Sequence, residues 1–484
     1  MADTTLKKSV LSQIENQPER ELVEKALVNG QQHLFENWDE RENTYRETLL
    51  AELKKIDWEI VAEARQVLSA GAEQELLGED EIQPMMMRTF GEQEDDRMDE
   101  DEIGRQALID GKAAWLIPAG GSGSRLVRVL DEIYDSLPFK RRYRVADDEM
   151  RTFDEASAKG QLPISPVLGK SFYGLFLEQA VALGARVSRM PVLIFMLSDI
   201  TRKASIATIA GHPLYEAVRN AVVLFDHGVN PVLDHGRIIP QDNEGHLVFS
   251  GNGNGGLFKG MRNTPLDGRD NIYKWLRSQG IESVGFSNVD NPVADVILLH
   301  MLGSHEKLNA KLSFGVVRKV DAEEKVGMIV GLSGKPHLDK IEYNLFPEAL
   351  AARPNPDAPE RLLFEHGDVN VFIMDLGLME KVEHLPLCLY RDKEIRTELG
   401  RRLGVKFETF TFHIIQQTPA ATVDVKEILR EDQFMPTKNS VGRDSPATVI
   451  RAICTRNMRW LTEQGAQLAV QGVDDTLTDY TALC

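Results

Sequence analysis

Apolar positions along the chain come in two rhythms. From residue 1 to about 75 they recur at helical spacing between charged residues, as in Leu49, Leu50, Leu53 and Ile56, with few glycines. That spacing predicts a helical N-terminal region. From Gly111 onward short apolar runs take over at 113–117, 191–197, 221–225 and 284–289, with amphipathic stretches at 172–183 and 271–279. Buried strands alternating with helices predict an α/β domain on a mixed, mostly parallel sheet flanked by helices. Ligands of such sheets bind beyond the carboxyl ends of the strands. The acidic tract 78–102 between the two rhythms, which includes Met85-Met86-Met87, reads as a solvated connector.

The run 113–117 ends in Pro118-Ala119-Gly120-Gly121-Ser122-Gly123-Ser124-Arg125-Leu126. A strand entering such a turn exposes backbone N–H groups, its glycines let an anionic or planar ligand come close, and Arg125 adds a fixed positive charge. This outlines a nucleotide site. It is not a Walker loop, which needs Lys-Ser or Lys-Thr, nor a dinucleotide fingerprint, whose third glycine is missing at Leu126.

Charge narrows the ligand. The 484 residues carry a formal net charge of −19, so the surface repels polyanions and nucleic acid is a poor partner. A hydrophobic content of 42% argues against wholesale disorder. Three cysteines, Cys388, Cys454 and Cys484, show neither metal-ligand spacing nor a paired framework, and no apolar stretch is long enough to span a bilayer. A reducing, cytoplasmic location follows, with no membrane partner.

Further polar clusters fall at predicted strand ends. Lys159-Gly160-Gln161 opens a loop after a charged segment containing 140–144 (Lys-Arg-Arg-Tyr-Arg), which is an exposed insertion or a lid. In Gly251-Asn252-Gly253-Asn254-Gly255-Gly256, Asn254 can donate and accept. Ser287-Asn288-Val289-Asp290 ends a strand in a carboxylate, where Mg²⁺ can be held against phosphate or where an aspartate simply caps a helix. Glu342 and Tyr343 can hydrogen-bond hydroxyls, polar groups follow at 365–370, and Lys438 sits in a turn-rich segment. His300 and His305 have no triad or metal spacing.

Taken in order, these motifs resemble the eukaryotic-type UDP-sugar pyrophosphorylases, UDP-N-acetylglucosamine pyrophosphorylase and UTP–glucose-1-phosphate uridylyltransferase among them. Gly-Gly-Ser-Gly-Ser-Arg-Leu is similar to the family's Gly-Gly-x-Gly-Thr-Arg-Leu, and 428–439 is similar to its Leu-Arg-Glu-Asp-Glu-Phe-Ser-Pro-Leu-Lys-Asn. The resemblance implies a Rossmann-like, glycosyltransferase-A-like nucleotidyltransferase domain over 109–438 with an insertion at 127–158. A helical region 1–108 precedes it and a short C-terminal region 439–484 follows. It implies a Mg²⁺-dependent transfer from a nucleoside triphosphate, UTP, to a sugar 1-phosphate, of glucose or N-acetylglucosamine. By the same resemblance Gly120, Gly121, Gly123, Asp226, Asn254 and Gly255 hold the nucleotide. Arg125, Lys159 and Lys438 are catalytic, Asp290 binds the metal, and Asn254, Glu342, Tyr343, Asp368 and Asn370 hold the sugar.

The chain departs from the pattern in four places. The insertion separates Arg125 from Lys159. Phe225-Asp226-His227-Gly228 stands where the family reads uracil with Phe-Gln-Gln-Gly, which keeps GTP as an alternative. Asp368 replaces an asparagine, which keeps glucose 1-phosphate open. The C-terminal region is short, which leaves the oligomeric state, monomer included, undecided. A non-catalytic relative that binds a sugar nucleotide is the alternative to an enzyme.

Overall fold

The computed structural model describes residues 2–70, 77–85, 94–121, 158–165, 170–295, 297–439 and 441–466. They fall into two compact units.

The first unit joins Met1–Glu75 to His227–Lys259 and Glu383–Thr411. Its helices are α1 (Ala2–Ser12), α2 (Gln17–Val28), α3 (Asn43–Lys54) and α4 (Trp58–Ser69). Proline in the first turn starts α2, and the Asp57 side chain caps α4 by accepting from Glu59 N. The apolar faces read from the sequence are buried: Leu49, Leu50 and Leu53 share one core with Leu233, Ile238, Leu247 and Phe407. Leu233 and Ile238 come from short strands, Leu247 from an isolated bridge to Pro240, and Phe407 from a long hairpin, Leu387–Thr397 with Gly400–Thr409. Gln31, fully buried, donates to Gly236 O at 3.0 Å and accepts from Ile238 N at 2.7 Å. The N-terminal helices are therefore one half of a core whose other half arrives much later in the chain.

The second unit holds, among its described residues, a seven-stranded sheet: β1 (Ala113–Pro118), β2 (Val192–Leu197), β3 (Val222–Asp226), β4 (Ser283–Phe286), β5 (Leu312–Arg318), β6 (His366–Asp375) and β7 (Val423–Glu427). The order is β3-β2-β1-β4-β6-β5-β7, parallel except for β6, which runs against both neighbours. This is the mostly parallel α/β sheet expected. β1 and β2 are nearly continuous apolar runs because both faces are covered. One face packs Trp115 and Phe195 against Phe172, Tyr173 and Phe176 of α6 (Phe172–Val187), after α5 (Glu94–Ile109) in chain order. The other stacks Phe286 on Phe372, centroids 4.4 Å apart. Among the helices that follow are α7 (Arg202–Ala210), α8 (Ile272–Ser278), α9 (Leu299–Lys307) and α10 (Pro446–Glu463). α10 opens with a capping box at Ser445 and buries Val449, Ile450 and Ile453 in the main core.

The acidic tract is not the solvated connector expected, as far as it is described. Ile82–Gln83 pairs with Leu332 and Gly331, adding a strand to Met328–Leu332 and Leu338–Ile341. α5 packs on α9 at a crossing only glycine permits: a Cβ on Gly303 would lie 1.7 Å from Glu100 O, and one on Gly104 2.1 Å from Leu299 O. Glu100 is buried and forms an ion pair with Lys426. A glycine and a buried carboxylate inside an acidic run leave no apolar rhythm to read.

Candidate active site

At the carboxyl edge of the sheet, Ala119 N donates to Met196 O, extending the β1–β2 ladder by one residue, and Gly120 and Gly121 follow. Gly120 O accepts from Ser198 Oγ at 2.8 Å, and the same hydroxyl meets Thr201 Oγ1 at 2.9 Å. Gly121 O accepts from Lys159 N at 3.0 Å. The start of the glycine turn is thus fastened on one side to the loop after β2 and on the other to the Lys159 turn. Gly123 and Arg125 lie outside the described residues, as does all of the insertion except Ala158.

Lys159 opens a single 3₁₀ turn, Lys159–Gln161. A Cβ on Gly160 would meet the Tyr173 ring at 2.3 Å, so only glycine lets this turn lie flat on α6. Tyr173 donates to Ser205 Oγ at 2.9 Å, and burial pushes its hydroxyl up to about 12. So braced, Lys159 Nζ reaches Asp290 Oδ2 at 2.6 Å, with both side chains less than a fifth exposed. The sequence placed these two groups in separate loops; the fold brings them together.

The other Asp290 oxygen, Oδ1, is buried and has no hydrogen-bond partner among the described residues. A buried carboxylate oxygen left unpaired is costly, and a hard cation with oxygen ligands answers it. The residues present therefore fit a divalent metal. Five hydrogen bonds tie this loop to the segment carrying Lys438: Thr437 N to Asp290 O, Asn291 Nδ2 to Gln433 O, Met435 N to Asn291 Oδ1, Asp295 N to Gln433 Oε1 and Gln433 Nε2 to Asp295 Oδ2. Lys438 itself is exposed, its ammonium 5.6 Å from the Phe434 ring centroid.

Asp226 ends β3 on the same edge, and its Oδ2 is paired with Arg202 of α7 at 2.5 Å. Nothing in the sequence indicated this partner. It changes the reading of Asp226, because a lone aspartate offers only acceptors whereas the pair also offers donors.

Glu342, Asp368 and Asn370 converge on Lys340. The Lys340 ammonium lies 2.6 Å from Asp368 Oδ2 and 3.4 Å from Glu342 Oε1, donates to Asn370 Oδ1 at 2.9 Å, and sits 4.0 Å from the Phe412 ring centroid. Burial alone would lower the lysine, but the carboxylates outweigh it and hold its pKa up, so the ammonium stays charged. β6 is bulged here: its pairing with β5 steps from Val371 to Asp368, and Asn370 takes a left-handed φ of 56°. Tyr343 is exposed beside them. Lys340 is the residue that joins these three, and strand alternation puts it on the face of Glu342.

Asn254 and Gly255 belong to the first unit. Asn254 Oδ1 accepts from Thr411 N at 2.8 Å, so the acceptor expected for a ligand is already committed. His227 in the same unit is turned onto Gly228 O at 2.7 Å. His300 and His305 are buried in α9, as core residues.

A glycine turn and a lysine–carboxylate pair with an unpartnered acid oxygen at the carboxyl edge of an α/β sheet, with a separate buried lysine–acid cluster, match the plan of a nucleotidyltransferase. The profile of the UTP–glucose-1-phosphate uridylyltransferase family matches residues 152–441, starting after the glycine turn. The chain belongs to that family. It is 23% identical over 472 residues to UDP-N-acetylglucosamine diphosphorylase 2 of Arabidopsis thaliana, covering 93% of this chain and 86% of that one. It is 24% identical to UDP-N-acetylglucosamine pyrophosphorylase of Saccharomyces cerevisiae, covering 90% of each. The fold matches the crystal structure of the Trypanosoma brucei uridine diphosphate N-acetylglucosamine pyrophosphorylase in complex with inhibitor, with TM-score 0.75 and 20% identity over 96% of this chain and 90% of that one. Among the described residues no helix is long and apolar enough to cross a membrane.

Proposed function

We propose that this chain joins UTP to N-acetylglucosamine 1-phosphate, releasing pyrophosphate, with glucose 1-phosphate as the weaker acceptor. The observation that carries the reading is the Lys159–Asp290 pair at the carboxyl edge, with Asp290 Oδ1 unpartnered. The named activities of the relatives favour the amino sugar.

A phosphate oxygen of the sugar 1-phosphate attacks the α-phosphorus of UTP in line, and the bond to pyrophosphate breaks. The attacking oxygen is already ionised, so no general base is needed, and catalysis reduces to positioning and to neutralising crowded negative charge. Mg²⁺ held by Asp290 would supply positive charge to the phosphate oxygens. Lys159, with Arg125, neutralises the leaving side, and Lys438 the attacking side. Because 433–437 is fastened to 290–295, Lys438 keeps its register with Asp290.

Asp368 acts from behind the sugar site. It is buried and holds Lys340, which in turn orients Asn370 and Glu342 toward the sugar with Tyr343 beside them. Aspartate in place of asparagine then serves Lys340 and sets no choice between acetamido and hydroxyl sugars. Pyrophosphate release with Mg²⁺, crossing UTP, GTP and CTP against N-acetylglucosamine, glucose and galactose 1-phosphates, tests the reading. Its strongest turnover should be UTP with N-acetylglucosamine 1-phosphate. A blank grid from folded protein that binds UTP would replace it with a non-catalytic binder.

A further inference from the structure

Asp226 and Arg202 stand on the same edge as the glycine turn, and hydrogen bonds link them to it. Gly120 O takes the Ser198 hydroxyl, Ser198 Oγ meets Thr201 Oγ1, and the next residue is Arg202, the first of α7. β3 pairs with β2 so that Asp226 faces Leu197, directly before Ser198. The row therefore runs from the glycine turn across one strand to the ion pair.

The pair is chemically two-sided. A carboxylate can only accept and a guanidinium can only donate. Asp226 Oδ2 is taken by Arg202, while Oδ1 is buried and without a hydrogen-bond partner among the described residues. The Arg202 side chain remains 41% exposed and gives only Nη1 to Asp226, so the guanidinium has further N–H donors to offer. A buried acceptor beside an open donor, at the edge where a nucleotide is held, suits a flat ring with an N–H flanked by a carbonyl.

We propose that Arg202 and Asp226 together read the uracil ring, N3–H donating to Asp226 Oδ1 and Arg202 donating to the O4 carbonyl. This rests on the uridylyltransferase reading above and makes Arg202 a specificity-determining residue. The guanidinium also offsets the aspartate charge, so the edge does not repel a triphosphate. Cytosine has an acceptor at N3 and would face the carboxylate badly. Guanine also has an N–H beside a carbonyl, so GTP is the informative competitor.

The test compares UTP, 4-thio-UTP, N3-methyl-UTP, CTP and GTP on wild type, Arg202→Ala, Asp226→Asn and the double variant Arg202→Ala/Asp226→Gln, with thermal melting to confirm each fold. Arg202→Ala should lower kcat/KM for UTP by about 10- to 100-fold, the size of a lost hydrogen bond to a charged group. It should also erase the preference for UTP over 4-thio-UTP and leave the KM for sugar phosphate unchanged. The double variant should regain part of the UTP preference, because one glutamine amide both accepts and donates. An unchanged UTP to 4-thio-UTP ratio in Arg202→Ala would overturn the proposal. Calorimetric binding of the same two nucleotides reads the contrast without turnover, so a wild type that binds UTP but releases no pyrophosphate counts against uridylyltransfer alone.

Discussion

Lys340 and Asp368 form an ion pair at 2.6 Å with both side chains withdrawn from solvent, 1% and 0% exposed. Breaking such a pair from one side leaves an uncompensated buried charge, whereas removing both partners does not. Asp368→Asn should therefore cost about 3 kcal/mol in urea unfolding, at the lower end for a buried pair because Glu342 stays nearby. Lys340→Met/Asp368→Leu should recover most of that stability and still lose sugar-phosphate affinity. Equal stability of Asp368→Asn and wild type would show that Glu342 alone compensates Lys340.

Lys159→Ala and Asp290→Ala should each lower kcat by about 10³-fold, the scale of losing a preorganised charge at a transferring phosphoryl group. Each variant should also lower the melting temperature, because at 18% and 17% exposure the charge left behind is largely buried and has lost its partner, so turnover is compared on the folded fraction. Asp290→Asn should additionally raise the Mg²⁺ concentration needed for half-maximal pyrophosphate release. Full turnover in both alanine variants would remove the assigned roles.

Two glycines separate activity from stability. Gly160→Ala drives a methyl into the Tyr173 ring and must displace the turn that carries Lys159. Turnover should fall by at least about tenfold for a stability cost of about 1–3 kcal/mol. Gly303→Ala meets Glu100 O at 1.7 Å, where only the whole of α5 can move. Its cost should reach the upper part of the same range, about 3 kcal/mol, with kcat of the folded fraction preserved.

Burial holds the pKa of His305 and of His413 down at about 4, against an ordinary 6.5. Between pH 6.5 and 4 the unfolded chain takes up protons that the folded histidines refuse. This contribution is complete above pH 6.5 and is lost as pH falls through that window. The slope approaches about 1.4 kcal/mol per pH unit for each histidine. His305→Gln should reduce the slope of unfolding free energy against pH by up to that amount between pH 6 and 4.5. The difference from wild type isolates the histidine from carboxylates titrating in the same range.

What the sequence made legible was what depends on near neighbours. The strands 113–117 and 191–197 are apolar because both their faces are buried, the edge strand at 221–225 alternates buried with half-buried positions, and Asp290 is visible because a strand ends shortly before it. The antiparallel course of β6 and the pairing of Ile82 with Leu332 are decided by distant partners and leave no local rhythm. Arg202 opens an ordinary helix, and only the adjacency of β2 and β3 gives it Asp226. Lys340 could have been found from its alternation with Glu342; its need for a buried counter-charge could not.

The N-terminal helices bury Leu49 and Leu53 against Leu233, Ile238, Leu247 and Phe407. On a ribosome their oily face is made first and the residues that cover it last. At about 5–20 residues per second, Phe407 follows the end of α4 by roughly 20–70 s. For that interval the newborn segment carries an unsatisfied greasy stripe, so its fate during synthesis depends on chaperone access and translation speed as much as on the finished fold.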